Sequence, residues 1–134
     1  MAEIEPDFLY QGEAVSVGLC FNCVQIVNFN LKDMTDAEFR SMANEVAPAF
    51  ASVPGLLGKI WLADAGKNTY GGVYIWQDAA AMQAYLASDL GKGVTGKPNF
   101  ANLTSRDFEM LGGPTGRSGG RLAASLTATA GPAA

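Results

Sequence analysis

The chain has 134 residues, 49% of them hydrophobic and 16% charged. These proportions are globular, and the length suits one domain that buries roughly two-thirds of its unfolded surface without disulfide or metal support. Nine Lys and Arg against thirteen Asp and Glu give a formal net charge of −4 with no basic run, and there is no histidine. The first property argues against a nucleic-acid partner. The second excludes a Ser-His-Asp triad, a His-ligated haem and a two-His zinc site within the chain.

The N-terminus, Met1-Ala2-Glu3-Ile4-Glu5-Pro6-Asp7, is acidic and lacks the positive segment of a secretory signal. The apolar run from Ala14 to Phe29 is broken by Ser16, Gly18, Asn22, Gln25 and Asn28, too polar and too short to span a bilayer. A cytoplasmic protein with no membrane partner is the expectation. Residues 1–19 read as a weakly patterned N-terminal extension. Cys20 and Cys23 form a lone Cys-x-x-Cys ahead of a strand pattern, not a helix start. Residues three apart on a strand point to opposite faces, so the reading is two small, partly buried thiols. No further ligands are offered for zinc.

Val24 to Leu31 reads as a strand on which Asn28 and Asn30 share a face. They belong either to a strand end emerging into solvent or to a polar pocket wall. A helix start follows. Thr35 as N-cap and Glu38 at N3 make a capping box, and Met34 with Phe39 a hydrophobic staple. Phe39, Met42, Ala43, Val46 and Phe50 recur at helical spacing. Pro48 is expected to kink the last turn, and Val53-Pro54-Gly55 ends it.

Pro54 to Gln77 is the most informative stretch. Two aliphatic and aromatic runs flank a polar turn at Asp64 to Thr69, which predicts a β-hairpin. Ile60 and Leu62 lie on one face of the first strand, Leu57 and Trp61 on the other; Val73 and Ile75 oppose Tyr74 and Trp76 in the second. A half-solvated antiparallel strand alternates apolar with polar, so both faces of this hairpin need cover. Helices of the same chain can cover one face. The other calls for a partner, which points to a dimer. The turn leaves the register open, and with it which aromatics share a side with Trp61.

Asp78 is a good N-cap for a second, shorter helix with Met82, Tyr85 and Leu86 as its stripe. Asp89 to Pro98 approaches the phosphate-loop pattern at Gly91 and Gly96-Lys97. Pro98 stands where Ser or Thr would hold magnesium, so the segment reads as a mobile loop or lid over a cleft. Asn102 to Met110 is the final strand, and 112–134 a flexible C-terminal tail without apolar period. The domain is thus residues 20–111, in the order βαββαβ. This is an α+β, ferredoxin-like arrangement: a four-stranded antiparallel sheet with two helices on one face.

Pro54-Gly55-Leu56-Leu57-Gly58-Lys59-Ile60-Trp61, Gly71-Gly72-Val73-Tyr74-Ile75-Trp76-Gln77-Asp78 and Ala84-Tyr85-Leu86 resemble the YdhR-type putative monooxygenase family. That family belongs to the dimeric α/β-barrel superfamily. The resemblance covers about residues 23 to 111. It implies a homodimer with two sheets packed face to face, and a pocket in each subunit between sheet and helices. It also implies cofactor-independent oxygenation of a small aromatic or polyketide-like substrate. The candidate catalytic residues are Asn28, Trp61 and Arg106, with Phe50, Lys59, Tyr74, Trp76 and Tyr85 as substrate-pocket residues. An apolar, water-poor cavity with one hydrogen bond to a developing anion would suffice, with no cofactor. Two other readings stay open: a small-molecule-binding dimer without turnover, and an isomerase or cyclase on the same scaffold.

Overall fold

The computed structural model describes residues 22–119; the N-terminal extension, Cys20 and most of the C-terminal tail lie outside them. The strands are β1 (Cys23–Leu31), β2 (Leu56–Asp64), β3 (Thr69–Trp76) and β4 (Phe100–Glu109). The helices are α1 (Asp36–Ala51), α2 (Ala79–Ala87), α3 (Asp89–Thr95) and α4 (Gly112–Ser118). All strand pairs are antiparallel, in the order β2-β3-β1-β4. This is the ferredoxin-like α+β fold read from the sequence.

Alternation along β1 sorts the two sheet faces. Cys23, Gln25, Val27 and Phe29 are buried, and the residues between them are half-buried. Register places Tyr74 and Gly72 of β3 and Lys59 and Trp61 of β2 on the same side as Gln25 and Val27. This side carries the core, where Phe39 and Phe50 from α1 and Met82 and Tyr85 from α2 meet Tyr70, Tyr74, Trp76 and Phe100 from the sheet. The one polar side chain buried here, Gln25, is satisfied at both ends of its amide. Trp76 Nε1 donates to its Oε1 at 3.0 Å, and its Nε2 donates to Ser105 Oγ at 2.9 Å.

Helix α1 opens as its sequence dictates. Glu38 N donates to Thr35 Oγ1 at 3.1 Å and Thr35 N to Glu38 Oε1 at 2.8 Å, which satisfies two donors that a helix start leaves free. The helix runs through Pro48 to Ala51. The hairpin closes at Asp64 and Thr69, with Asn68 left-handed at its tip (φ 48°). Asn68 exchanges hydrogen bonds with the Leu31 backbone, pinning the tip to the end of β1.

Two segments differ from the sequence expectation. Asp89 to Thr95 is helix α3, not a loop: Ser88 Oγ caps it by accepting from Gly91 N at 3.2 Å. Glycines are poor helix formers, but Gly91 is buried where a Cβ would collide with the Tyr85 carbonyl. Close packing against α2 thus overrides propensity. Leu90, Gly93, Val94 and Lys97 also lie at i, i+3, i+4 and i+7, a helical face that the phosphate-loop likeness obscured. Gly112–Ser118, expected to be tail, forms helix α4, with Pro114 in the first turn where its missing N–H costs nothing.

Candidate functional site

The core is incompletely filled. Between the helices and the sheet lies a cavity of about 290 Å³. Its sheet wall is Val27 and Phe29 of β1, Lys59 and Trp61 of β2, and Gly71, Gly72 and Tyr74 of β3. Its helical wall is Phe39, Met42, Val46 and Phe50 of α1 with Leu90, Gly93 and Val94 of α3; Phe100 and Lys97 complete it, with Asp89 at the start of α3. The space exists partly because β3 carries two adjacent glycines. A Cβ on Gly72 would press on Lys59 Cε at 3.1 Å, and one on Gly71 would strike the Val27 carbonyl.

The lining is mostly hydrocarbon and aromatic, and of its two lysines Lys59 is the one whose amine sits among the rings. Lys59 Nζ lies 3.4 Å from the ring centroids of both Phe50 and Trp61 and 4.6 Å from that of Tyr74. Phe50 and Trp61 meet edge to face at 5.4 Å, so the amine sits in their corner. Among the described residues, no hydrogen bond or ion pair holds Nζ. Burial therefore pushes the amine from its usual 10.5 down to about 7. Burial also pushes the Tyr74 phenol well above its ordinary range, as does its neighbour Tyr85. Tyr85 is raised by burial too, and the two hydroxyls are 3.4 Å apart. Both phenols stay neutral and serve as wall and hydrogen-bonding groups.

The structure brings Phe50, Lys59, Trp61 and Tyr74 around this one cavity. Trp76 and Tyr85 stand behind it: Trp76 stacks parallel to Tyr74 at 5.9 Å and Tyr85 packs 5.6 Å from Tyr74. Asn28 and Arg106 project from the opposite face of the sheet, because they pair in register with Gly71 and Ile26 at positions out of phase with Val27. They do not share the cavity. Asn28 Nδ2 donates instead to the Tyr70 carbonyl at 3.5 Å, and Arg106 is exposed. Val27, Phe29, Val94 and Phe100 complete a wall that the sequence reading had not assembled. The signal for Val27 and Phe29 was their alternation along β1.

Fold and cavity together define the class: a ferredoxin-like α+β domain that encloses a small apolar pocket between its sheet and its helices. Residues 24–118 match the model of the family described as putative mono-oxygenase ydhR. The chain belongs to that family. No curated protein sequence matches it significantly. Among solved structures it is similar to SnoaB, a cofactor-independent oxygenase from Streptomyces nogalater. The two are 23% identical with a TM-score of 0.56, over 67% of this chain and 93% of that one. A putative antibiotic biosynthesis monooxygenase from Caulobacter crescentus aligns at 15% identity and TM-score 0.56, over 71% and 94% of the two chains. A dimeric ferredoxin-like protein of unknown function from Thermobifida fusca aligns at 17% and 0.56, over 78% and 97%. At these identities the likenesses show a shared fold.

Proposed function

We propose that the protein is a cofactor-independent monooxygenase acting on a small, electron-rich aromatic or polyketide-like substrate held in the cavity. The observation that carries this reading is the cavity itself: about 290 Å³, largely apolar, roofed by helices and with the buried amine of Lys59 at its aromatic corner. Family membership and the likeness to SnoaB support it. Such chemistry asks little of a protein. A phenol or enol loses a proton, and the resulting carbanion or phenolate gives electrons to dioxygen. A C–O bond forms to give a hydroperoxide. Loss of water breaks the O–O bond, leaving one oxygen atom on the substrate as a carbonyl and the other in water. Trp61, Phe50 and Tyr74 would orient the ring, and the apolar wall would keep bulk water from quenching the anion.

The working unit in this reading is a homodimer. The sheet face away from the helices carries Val24, Ile26, Ile60, Leu62, Val73 and Phe108, with Ile60 49% and Phe108 52% exposed. A second sheet of the same kind would cover it. Oxygen consumption with anthrone and with hydroquinones, without added flavin or metal, tests the activity. Uptake with stoichiometric anthraquinone that carries one atom of labelled dioxygen is expected from anthrone; a quinone formed from hydroquinone without label is dehydrogenation and does not count as oxygenation. Thermal stabilisation by these compounds without uptake would leave a binding protein, and anaerobic product would leave an isomerase or cyclase.

A further inference from the structure

We infer that Lys59 is the catalytic base: its uncharged amine takes the phenol or enol proton of a substrate that itself carries no permanent negative charge. This assignment rests on the oxygenase reading of the cavity, but its test is separable from it.

Three observations point the same way. First, Nζ is placed at the cavity wall without a carboxylate or any hydrogen-bond partner among the described residues, so a lone pair is free to accept. The other ionisable groups that line the cavity are Tyr74, Asp89 and Lys97, and Asp89→Asn is the control that separates its carboxylate from Lys59 as the base. Tyr74 stays protonated, its hydroxyl next to that of Tyr85, and Asp89 and Lys97 stand on or just after α3 without an ion pair to Lys59. No ionisable side chain of α1 or β1 lines the cavity. Second, the amine titrates at about 7 because it has lost its water, which matches a base to a neutral working pH. Third, the rings of Phe50, Trp61 and Tyr74 present a ready-made cage for the ammonium that proton transfer creates. Desolvation lowers the basicity of the amine and the π-faces restore part of it, so the cation is accommodated in the same geometry that holds the neutral amine. Product charge is thus stabilised by groups already in place, with no reorganisation. The new ammonium then lies beside the new anion in a water-poor space, and it can return its proton to the hydroperoxide oxygen formed with dioxygen.

The same electrostatics set the substrate class. A carboxylate or phosphate on the substrate would pair with Lys59, hold it as ammonium and abolish its basicity. Neutral phenols, hydroquinones and anthrones are therefore favoured over their carboxylated analogues.

The test is anaerobic exchange of the C10 hydrogens of anthrone for solvent deuterium, which needs proton removal but no oxygen. The wild-type protein is expected to speed this exchange, whereas Lys59→Met and Lys59→Arg, each folded by circular dichroism, do not. With anthrone under oxygen, kcat/KM is expected to rise through pH 7 in the wild type. In both variants it is expected to fall by about a hundredfold or more and lose that limb. Added methylamine restores part of the rate to Lys59→Ala. Absence of accelerated exchange in the wild type, an unchanged pH profile in Lys59→Met, or a borohydride-trapped adduct on Lys59 would each overturn the assignment. Oxygen uptake without Lys59-dependent exchange removes the base and keeps the oxygenase. Exchange without uptake from any of the phenols or anthrones removes the oxygenase and keeps the base.

Discussion

A lysine enclosed by aromatic rings makes the protein's stability depend on pH in a defined direction. The Lys59 amine titrates at about 7 in the folded chain against 10.5 as its ordinary value. Between these values the unfolded chain holds a proton that the folded chain has released, so stability rises with pH across that window. Below about 7 both states are protonated and the full destabilisation is felt. The ring faces, which attract the ammonium, reduce the size of the effect without changing its sign. Lys59→Met keeps a long apolar chain in the corner between Phe50 and Trp61 and removes the charge. It is expected to be more stable than the wild type at about pH 6, by a few kcal/mol at most, and to lose the rise in urea midpoint between about pH 7 and 10.

At the scale of elements, glycines set how closely the walls of the pocket pack, and a cap holds one of its helices. Gly71 and Gly72 let β3 pass close under β1 and Lys59. Gly72→Ala would press on Lys59 Cε at 3.1 Å and on the Ile60 carbonyl oxygen at 3.3 Å, so a loss of about 1 kcal/mol of stability is expected. The amine is also displaced, and kcat/KM with anthrone should drop roughly tenfold, about 1.4 kcal/mol of barrier. Gly91→Ala differs because a Cβ there would collide with the Tyr85 carbonyl. About 3 kcal/mol of destabilisation is expected in chemical denaturation, with loss of the α2–α3 corner that roofs the cavity. Thr35→Ala removes the reciprocal bonds at the start of α1. It should cost about 1 kcal/mol without altering the pH profile of the amine, since the cap lies away from the cavity lining.

At the scale of the molecule, the sheet has one face under helices and one face without cover among the described residues. Ile60 and Phe108, on the two edge strands, are large apolar side chains left half exposed there, and they are the positions that the proposed second sheet would cover. Sedimentation equilibrium is expected to give a dimer for the full chain and a monomer for Ile60→Glu, whose charge would be buried against its own copy. The cavity lies on the other side of the sheet. Ile60→Glu at concentrations where it remains folded is therefore expected to keep the anaerobic exchange of anthrone hydrogens while losing the assembly. A wild-type monomer in this measurement would remove the barrel from the proposal.

The capping box at Thr35 and Glu38, the stripe of α1, the two-sided hairpin and the βαββαβ order are all local patterns, and a chain read in one dimension carries them in full. For the same reason Lys59, Trp61 and Tyr74 stood out as candidates from the hairpin alone. Which of them meet was decided by register. Pairing of Lys59 with Tyr74 and of Trp61 with Gly72 puts the amine and the rings on the helix side, and pairing of Asn28 with Gly71 and of Arg106 with Ile26 puts those two on the other. A shift of β2 by one residue, invisible in composition or periodicity, would have turned Lys59 and Trp61 away from Tyr74. Helix α3 is likewise a tertiary outcome, because the space that admits only glycine at residue 91 belongs to α2 and not to the segment itself. The free amine's altered basicity has no sequence signature at all: it arises from water excluded by side chains that come from α1, β2 and β3.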